Sequence, residues 1–180
     1  LAKSREEEVV AWFDQYHQTI FKFIVLIVKD YFQAEDLTQE TFVKAYQYYP
    51  SFKRNASPKT WLFSIAHNVT VDYLRKSKPI RLFREVFSSS KKDPEMLPEE
   101  ILEVKESSRE LYDVLNKMKE SHRKVLVLRK IKGFSIVETA QILNWSESKV
   151  KATTFRAMGV LEKELKKEDF YHEQTRKKHL

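Results

Sequence analysis

The sequence predicts an all-α protein of two small helical domains joined by a flexible linker, and three observations carry that expectation. Its 180 residues include 2 glycines and 5 prolines, at positions 50, 58, 79, 94 and 98, so long stretches run without a helix breaker. Apolar residues recur at three- and four-residue steps, and few runs alternate strictly as strands do. Between two such patterned blocks lies a stretch, 79–106, that holds three of the prolines and more acids than bases. A hydrophobic fraction of 42% is that of a folded chain, long enough to bury one ordinary core or two small ones. With no cysteine, disulfides and thiol nucleophiles are excluded. The longest purely apolar run, Phe23 to Val28, is too short to cross a bilayer, and with no signal peptide visible the expected compartment is the cytoplasm.

Taken in order, residues 5–30 open with Glu6, Glu7 and Glu8, which suit a helix N-terminus, and continue with Val9, Trp12, Phe13, Tyr16, Ile20, Phe23, Ile24 and Ile27 as a core stripe. From Ala34 to Tyr48 a second helix is expected, with Leu37, Thr41, Val43, Ala45 and Tyr46 inward and Asp36, Gln39, Glu40 and Lys44 outward. The segment YYPSFKRNASPKTW interleaves Lys53 and Arg54 with Tyr48, Tyr49, Phe52 and Trp61. Two readings of it stand side by side: a groove for single-stranded nucleic acid, which needs cations and rings together, or a surface loop anchored in the core by Trp61. Ser57-Pro58 starts a third helix whose set Leu62, Ile65, Ala66, Val69 and Leu74 is buried, with Lys59, Asn68, Asp72, Arg75 and Lys76 accessible. Beyond the linker, Leu111, Val114, Leu115 and Met118 mark another helix, Ser121 is a candidate cap for the next, and the tail 169–180 is polar and expected to fray.

The most informative stretch is Gly133 to Leu165. Gly133 suits the left-handed residue that ends a helix, and Ser135 with Glu138 forms a capping box. Ile136, Val137, Ala140 and Leu143 provide one apolar face, and Ala140 has the small side chain that two closely crossing helices require. Asn144 fits a tight turn, and Ser146 is placed to cap a further helix. Within that helix Val150, Thr154, Ala157, Met158, Leu161 and Leu165 are expected inward. The opposite face presents Ser148, Lys149, Lys151, Ala152, Phe155 and Arg156, groups that a DNA major groove can use. The competing reading is a solvated, lysine-rich helix closing a small bundle, and the mutual register of capping box, Ala140, Asn144 and Ser146 favours the helix-turn-helix.

Charge supports this. Residues 1–78 hold 11 basic and 9 acidic side chains, 79–106 hold 5 and 7, and 107–180 hold 17 and 10, so the positive excess lies with the helix-turn-helix. The five histidines form no paired metal spacing on a helix and no glycine-rich phosphate loop exists, so no enzyme, cofactor or metal site is expected.

Two blocks in this order resemble a bacterial extracytoplasmic-function sigma factor, of the small two-domain group within the sigma-70 family, and among these the X-type sigma factors of bacilli. AEDLTQETFVKAY (Ala34 to Tyr46) is similar to region 2.2, FKRNASPKTWLFSIAHNVTVDYLRK (Phe52 to Lys76) to regions 2.3 and 2.4, and LVLRKIKGFSIVETAQILNWSESKVKATTFRA to region 4. The resemblance implies region 2 over 1–78, a linker over 79–106 threading toward the polymerase cleft, and region 4 over 107–168. It implies a specificity subunit that binds core RNA polymerase through the β′ clamp helices and the β flap, recognises −35 and −10 promoter elements and helps melt the latter. Asp36, Leu37, Gln39 and Glu40 would meet polymerase. Phe52, Lys53, Arg54, Asn55 and Lys59 would lie in the loop that captures a flipped −10 base, and Asn68, Asp72 and Arg75 would hold the non-template strand. Ser148, Lys149, Lys151, Ala152, Phe155 and Arg156 would face the −35 groove. A membrane-anchored anti-sigma factor is the implied inhibitor. The chain departs from the family pattern at Thr153 and Met158, where arginine is frequent, at Ala152, where serine is, and at Asn144 and Arg54, where glycine is usual. The alternative is a stand-alone helix-turn-helix regulator, which leaves the aromatic-basic loop and the Asp36–Glu40 face without a purpose.

Overall fold

The structure, a computed structural model, describes residues 4–87 and 106–178, with side chains described over 4–78 and 111–167. Every regular element among the described residues is helical. The described residues form two compact units, 4–87 with 140–145 and 106–139 with 146–178.

In the first unit, α1 (Arg5–Val28), α2 (Tyr31–Tyr48) and α3 (Pro58–Phe87) pack on one another. A capping box starts α1: the Glu7 backbone N–H donates to Ser4 Oγ at 3.2 Å and the Ser4 N–H to Glu7 Oε2 at 2.9 Å. Lys29, at φ 61°, ends α1 in the left-handed conformation, and the next residue, Asp30, caps α2 by accepting from the Gln33 N–H at 3.0 Å. This two-residue turn folds α1 and α2 back to back. Ile20, Phe23, Ile24 and Ile27 are buried with Ala34, Phe42 and Ala45 and with Leu62, Phe63, Ala66 and Val69, and the Phe23 and Phe63 rings lie 5.3 Å apart. Val43 and Tyr46 do not join them. They face outward, and Thr38 and Phe42 take the inward positions, because the buried stripe of α2 runs Ala34, Leu37, Thr38, Thr41, Phe42, Ala45. Buried Thr38 and Thr41 hydroxyls are satisfied by donating to the carbonyls of Ala34 and Leu37. Ser57 Oγ accepts from the Thr60 N–H at 3.1 Å and so caps α3. That helix runs on through Pro79 to Phe87, past the expected boundary with the linker. Proline there removes one backbone hydrogen bond and crowds the carbonyl of the preceding turn, so this continuation carries a local cost. The acidic part of the expected linker lies outside the described residues.

In the second unit, α4 (Glu106–Lys117), α5 (Glu120–Leu126) and α7 (Glu147–Lys178) bury Val114, Leu115, Met118, Leu126 and Ala157, with Leu111, Leu161 and Leu165 half covering them. The N-cap of α5 is Lys119, without a side-chain bond, so Ser121 lies inside the first turn and is not the cap. Buried Arg123 donates from Nη1 to the carbonyls of Met118 at 3.2 Å and Leu115 at 3.4 Å, placing a cation at the C-terminal end of α4 where helix carbonyls lack partners. After α5 the chain continues as a turn of π-helix, Val127–Ile131. Gly133, at φ 74°, then reverses it, with the Phe134 N–H bonding the Leu128 carbonyl at 3.0 Å.

Helix α6 (Ile136–Leu143) is capped as the sequence predicts, Ser135 and Glu138 exchanging bonds of 2.8 and 3.1 Å. Its buried residues are Thr139, Ala140, Ile142 and Leu143, whereas Val137 is exposed. Asn144 turns the chain at φ 52°, and Ser146 Oγ accepts from the Lys149 N–H at 3.2 Å to start α7. Val150, Thr153 and Ala157 form the buried stripe of α7, while Met158 is exposed and the Thr154 hydroxyl bonds the Val150 carbonyl at 2.7 Å. The helix does not fray after 168 but continues to Lys178. No proline follows Ser146, and ion pairs Lys166–Glu162 and Lys167–Glu164 line the outer surface.

Since only strain and not crowding opposes a side chain at Gly133, Gly133→Ala should cost about 1–2 kcal/mol. Urea denaturation with an unchanged slope and a lowered midpoint is the expected result.

Candidate nucleic-acid interface

The first three turns of α7 follow directly from the Asn144 turn and the Ser146 cap, so their side-chain directions are set locally. Ser148, Lys149, Lys151, Ala152, Phe155 and Arg156 are all exposed, Phe155 to 83%. Thr153, by contrast, is buried and does not belong to this surface. Cations gathered near a helix N-terminus add to the positive end of its dipole. On α5, the His122 imidazole is pushed below its ordinary range by burial first and then by the charges of Lys119 and Arg156. Phosphate, or a guanine edge with its two acceptors, is the complement of such a surface.

The loop between α2 and α3 rests on an aromatic platform. A short turn of 3-10 helix, Tyr49–Ser51, leads into it, and the Trp12 ring packs against Tyr49 at 5.8 Å, Phe52 at 5.6 Å and Trp61 at 5.9 Å. Phe52 stacks on Trp61 at 4.7 Å with an interplanar angle of 26°. Trp61 thus covers one face of the half-buried Phe52 ring. Lys53, Arg54 and Asn55 are exposed above this platform. Arg54 adopts φ 56° and its Nη2 donates to both carboxylate oxygens of Glu8 at 2.9 Å, which raises the guanidinium pKa further. On α3, Asn68 and Arg75 are exposed and Asp72 half-buried, spaced so as to share one face, with Arg75 donating to Asp72 at 3.0 Å, while Lys59 is half-buried in the first turn.

A third surface lies on α2. Asp36, Gln39 and Glu40 are exposed, and Glu40 pairs with Lys44 at 3.2 Å. Leu37, expected beside them, is 5% exposed and belongs to the core, because its position falls on the buried stripe. Next to Gln39 a groove of about 560 Å³ runs between α1 and α2, lined by Val10, Phe13, Phe42, Val43 and Tyr46. At its end the Tyr46 hydroxyl donates to Glu6 Oε1 at 2.8 Å and the Arg5 guanidinium lies 3.5 Å over the Tyr46 ring. That hydrogen bond lowers the Glu6 pKa and raises that of Tyr46. Sequence reasoning placed Val43 and Tyr46 inside, gave Val10 no role and saw Glu8 only as an acid of the first helical turns. Their partners lie on other helices, and only the exposed apolar excess of α2 could have signalled the groove. Among the described residues no cluster of His, Asp or Glu is arranged to hold a metal ion.

Cations facing outward from a capped helix in one unit, and from a supported loop in the other, are the groups by which a nucleic-acid-binding protein meets phosphate. Residues 12–80 match the family described as sigma-70 region 2 and residues 108–161 that described as sigma-70 region 4. The chain is 38% identical over 179 residues, 95% of its length and 91% of the relative's, to the ECF RNA polymerase sigma factor SigX of Bacillus subtilis. It is 35% identical to the RNA polymerase sigma factor YlaC of the same organism, covering 85% of this chain and 89% of that one. This chain belongs to the ECF sigma factors of the sigma-70 family. It is a transcription initiation factor and not an enzyme. Its fold is that of the sigma factor RpoE of Bartonella quintana, solved in complex with the anti-sigma factor NepR (TM-score 0.73, 24% identity, 88% of this chain and 97% of that one). CnrH, in complex with the cytosolic domain of CnrY, is similar at a TM-score of 0.62 and 21% identity, with 88% of this chain and 87% of that one covered. No described helix is long and apolar enough to cross a membrane.

The Glu6–Tyr46 bond makes a pH-dependent contribution. With the folded pKa of Glu6 depressed, its stabilisation is full above the unfolded carboxylate range and is lost as pH falls through the folded value. Tyr46→Phe should therefore lower the urea midpoint near pH 7 and converge with the parent in acid, once pH has fallen below the depressed folded pKa of Glu6.

Proposed function

We propose that this chain directs core RNA polymerase to promoters by holding the −35 element on α7 and the opened −10 strand on the α2–α3 loop and the outer face of α3. The observation that carries this reading is the exposed set Lys149, Lys151, Phe155 and Arg156 on a helix started by its own cap, within the stretch that matches region 4. In the −10 surface, Lys53, Asn55, Lys59, Asn68, Asp72 and Arg75 supply phosphate contacts and hydrogen bonds, and the aromatic platform supports the loop that bears the first two. A base leaving the duplex gives up stacking worth a few kcal/mol, which pocket contacts and phosphate pairing offset. Asp36, Gln39 and Glu40, beside the apolar groove of α1 and α2, are assigned to the polymerase β′ subunit, where acids meet cations and the groove accepts an apolar side chain. Residues 1–78 and 107–168 are the working domains on this reading, with the β flap a further contact of the second. A membrane-anchored anti-sigma factor as inhibitor and a cytoplasmic location belong to the same reading. A stand-alone regulator would need no polymerase-facing surface, and the two region matches in order favour the sigma reading.

Arg156→Ala should weaken −35 binding by about 1–3 kcal/mol if it reads a base, measured by titration of labelled promoter duplex. Unchanged transcription by folded R156A protein would remove Arg156 from the interface. Reversing Asp36 and Glu40 to lysine should reduce competition for core polymerase while leaving −35 binding intact. Equal competition by the reversed protein would refute the assignment of that face.

A further inference from the structure

We propose that Glu8, on the first turns of α1, is a positioning residue for the −10 loop, and that Arg54 serves the shape of that loop rather than the DNA. This rests on the reading of the loop given above. The sequence shows three polar side chains in a row, Lys53, Arg54 and Asn55, and nothing in it separates them. The structure does. Arg54 alone of the three has a left-handed backbone, φ 56°, which an L side chain adopts at a cost. Its guanidinium is turned back across the loop to Glu8, 46 residues away, with Nη2 at 2.9 Å from both carboxylate oxygens. The Tyr49 hydroxyl lies 3.5 Å from the same nitrogen, and the guanidinium carbon lies 5.7 Å from the Phe52 ring centroid.

Glu8 is well placed to hold it. Its side chain is 18% exposed against 61% for Arg54, and the capping box at Ser4 and Glu7 fixes the turn it stands on. One turn further along the same face, at i+4, is Trp12, which packs against Tyr49, Phe52 and Trp61. Two consecutive turns of α1 thus hold the loop at two points, one by charge and one by ring packing. A cation already paired with a carboxylate contributes little net charge toward a phosphate. Lys53 and Asn55, on either side of the tethered residue, are then the loop's outward groups.

The test uses the full chain with core polymerase on a duplex promoter and on one carrying a pre-opened −10 bubble. Glu8→Ala and Arg54→Ala should each lower open-complex formation on the duplex by about two- to fivefold, and the double variant should be no worse than the weaker single. Arg54→Gly should fall less than Arg54→Ala, since glycine takes positive φ without strain. Lys53→Ala should reduce the slope of log affinity against log salt by about one, and Arg54→Ala should leave it unchanged. An Arg54→Ala slope that falls like that of Lys53→Ala, or tighter promoter binding by Glu8→Ala, would overturn the proposal by making Arg54 a DNA contact. If Lys53→Ala and Asn55→Ala leave both templates unaffected, the −10 reading of the loop fails, and the tether is judged on the protein alone. In a Trp145→Phe background the emission of Trp12 and Trp61 reports the platform. Equal shifts in Glu8→Ala, Arg54→Ala and the double variant support the tether, and additive or absent shifts refute it.

Discussion

At Lys29, Arg54, Gly133 and Asn144 the backbone passes through the left-handed region, and three of these residues, Lys29, Gly133 and Asn144, stand where the chain leaves one helix and turns into the next. A helical chain must dispose of unpaired carbonyls at each C-terminus and unpaired N–H groups at each N-terminus, and a left-handed residue with a side-chain cap close behind it does both in two or three residues. Lys29 with Asp30, Gly133 with Ser135, and Asn144 with Ser146 are built on this plan. Only one of the four is glycine, so three positions carry a conformational cost of about 1–2 kcal/mol each that local bonds and packing offset. The register of α2 against α1, and the direction in which α7 leaves the turn, depend on these reversals.

The exposed faces of α2 and α7 differ in charge. Cations on the outer face of α7 suit a polyanion, whose released counterions favour binding whatever its sequence. Acids and amides on α2 stand beside an apolar groove, an arrangement suited to a protein surface, where charge sets orientation and apolar contact supplies affinity. A single basic face would not separate these tasks. The loop between α2 and α3 belongs to neither extreme, for its rings are mostly turned inward and its polar groups outward. Packing of Trp12, Phe52 and Trp61 gives it a firm base, so the exposed side chains stand on a supported backbone despite lying between helices.

Much of the fold and part of the site were legible in the sequence because their causes are local. The capping box of Ser135 and Glu138, the turn at Asn144 and the cap at Ser146 each act across a few residues, and together they orient the exposed face of α7 by local bonds. All six residues assigned to that face from periodicity are exposed. Tertiary structure decided what periodicity leaves ambiguous. Apolar residues surround much of α2, so the choice of Thr38 and Phe42 over Val43 and Tyr46 as inward residues was made by the helices it packs against. That Phe52 packs on Trp12 and Trp61, and that Glu8 pairs with Arg54 from 46 residues away, likewise has no local cause. Sequence determined the capped turns around α6 and the exposed face of α7, which depend on neighbours along the chain. The folded core alone decided which rings are covered and which ions are paired, because those interactions join residues whose separation along the chain carries no periodic signal.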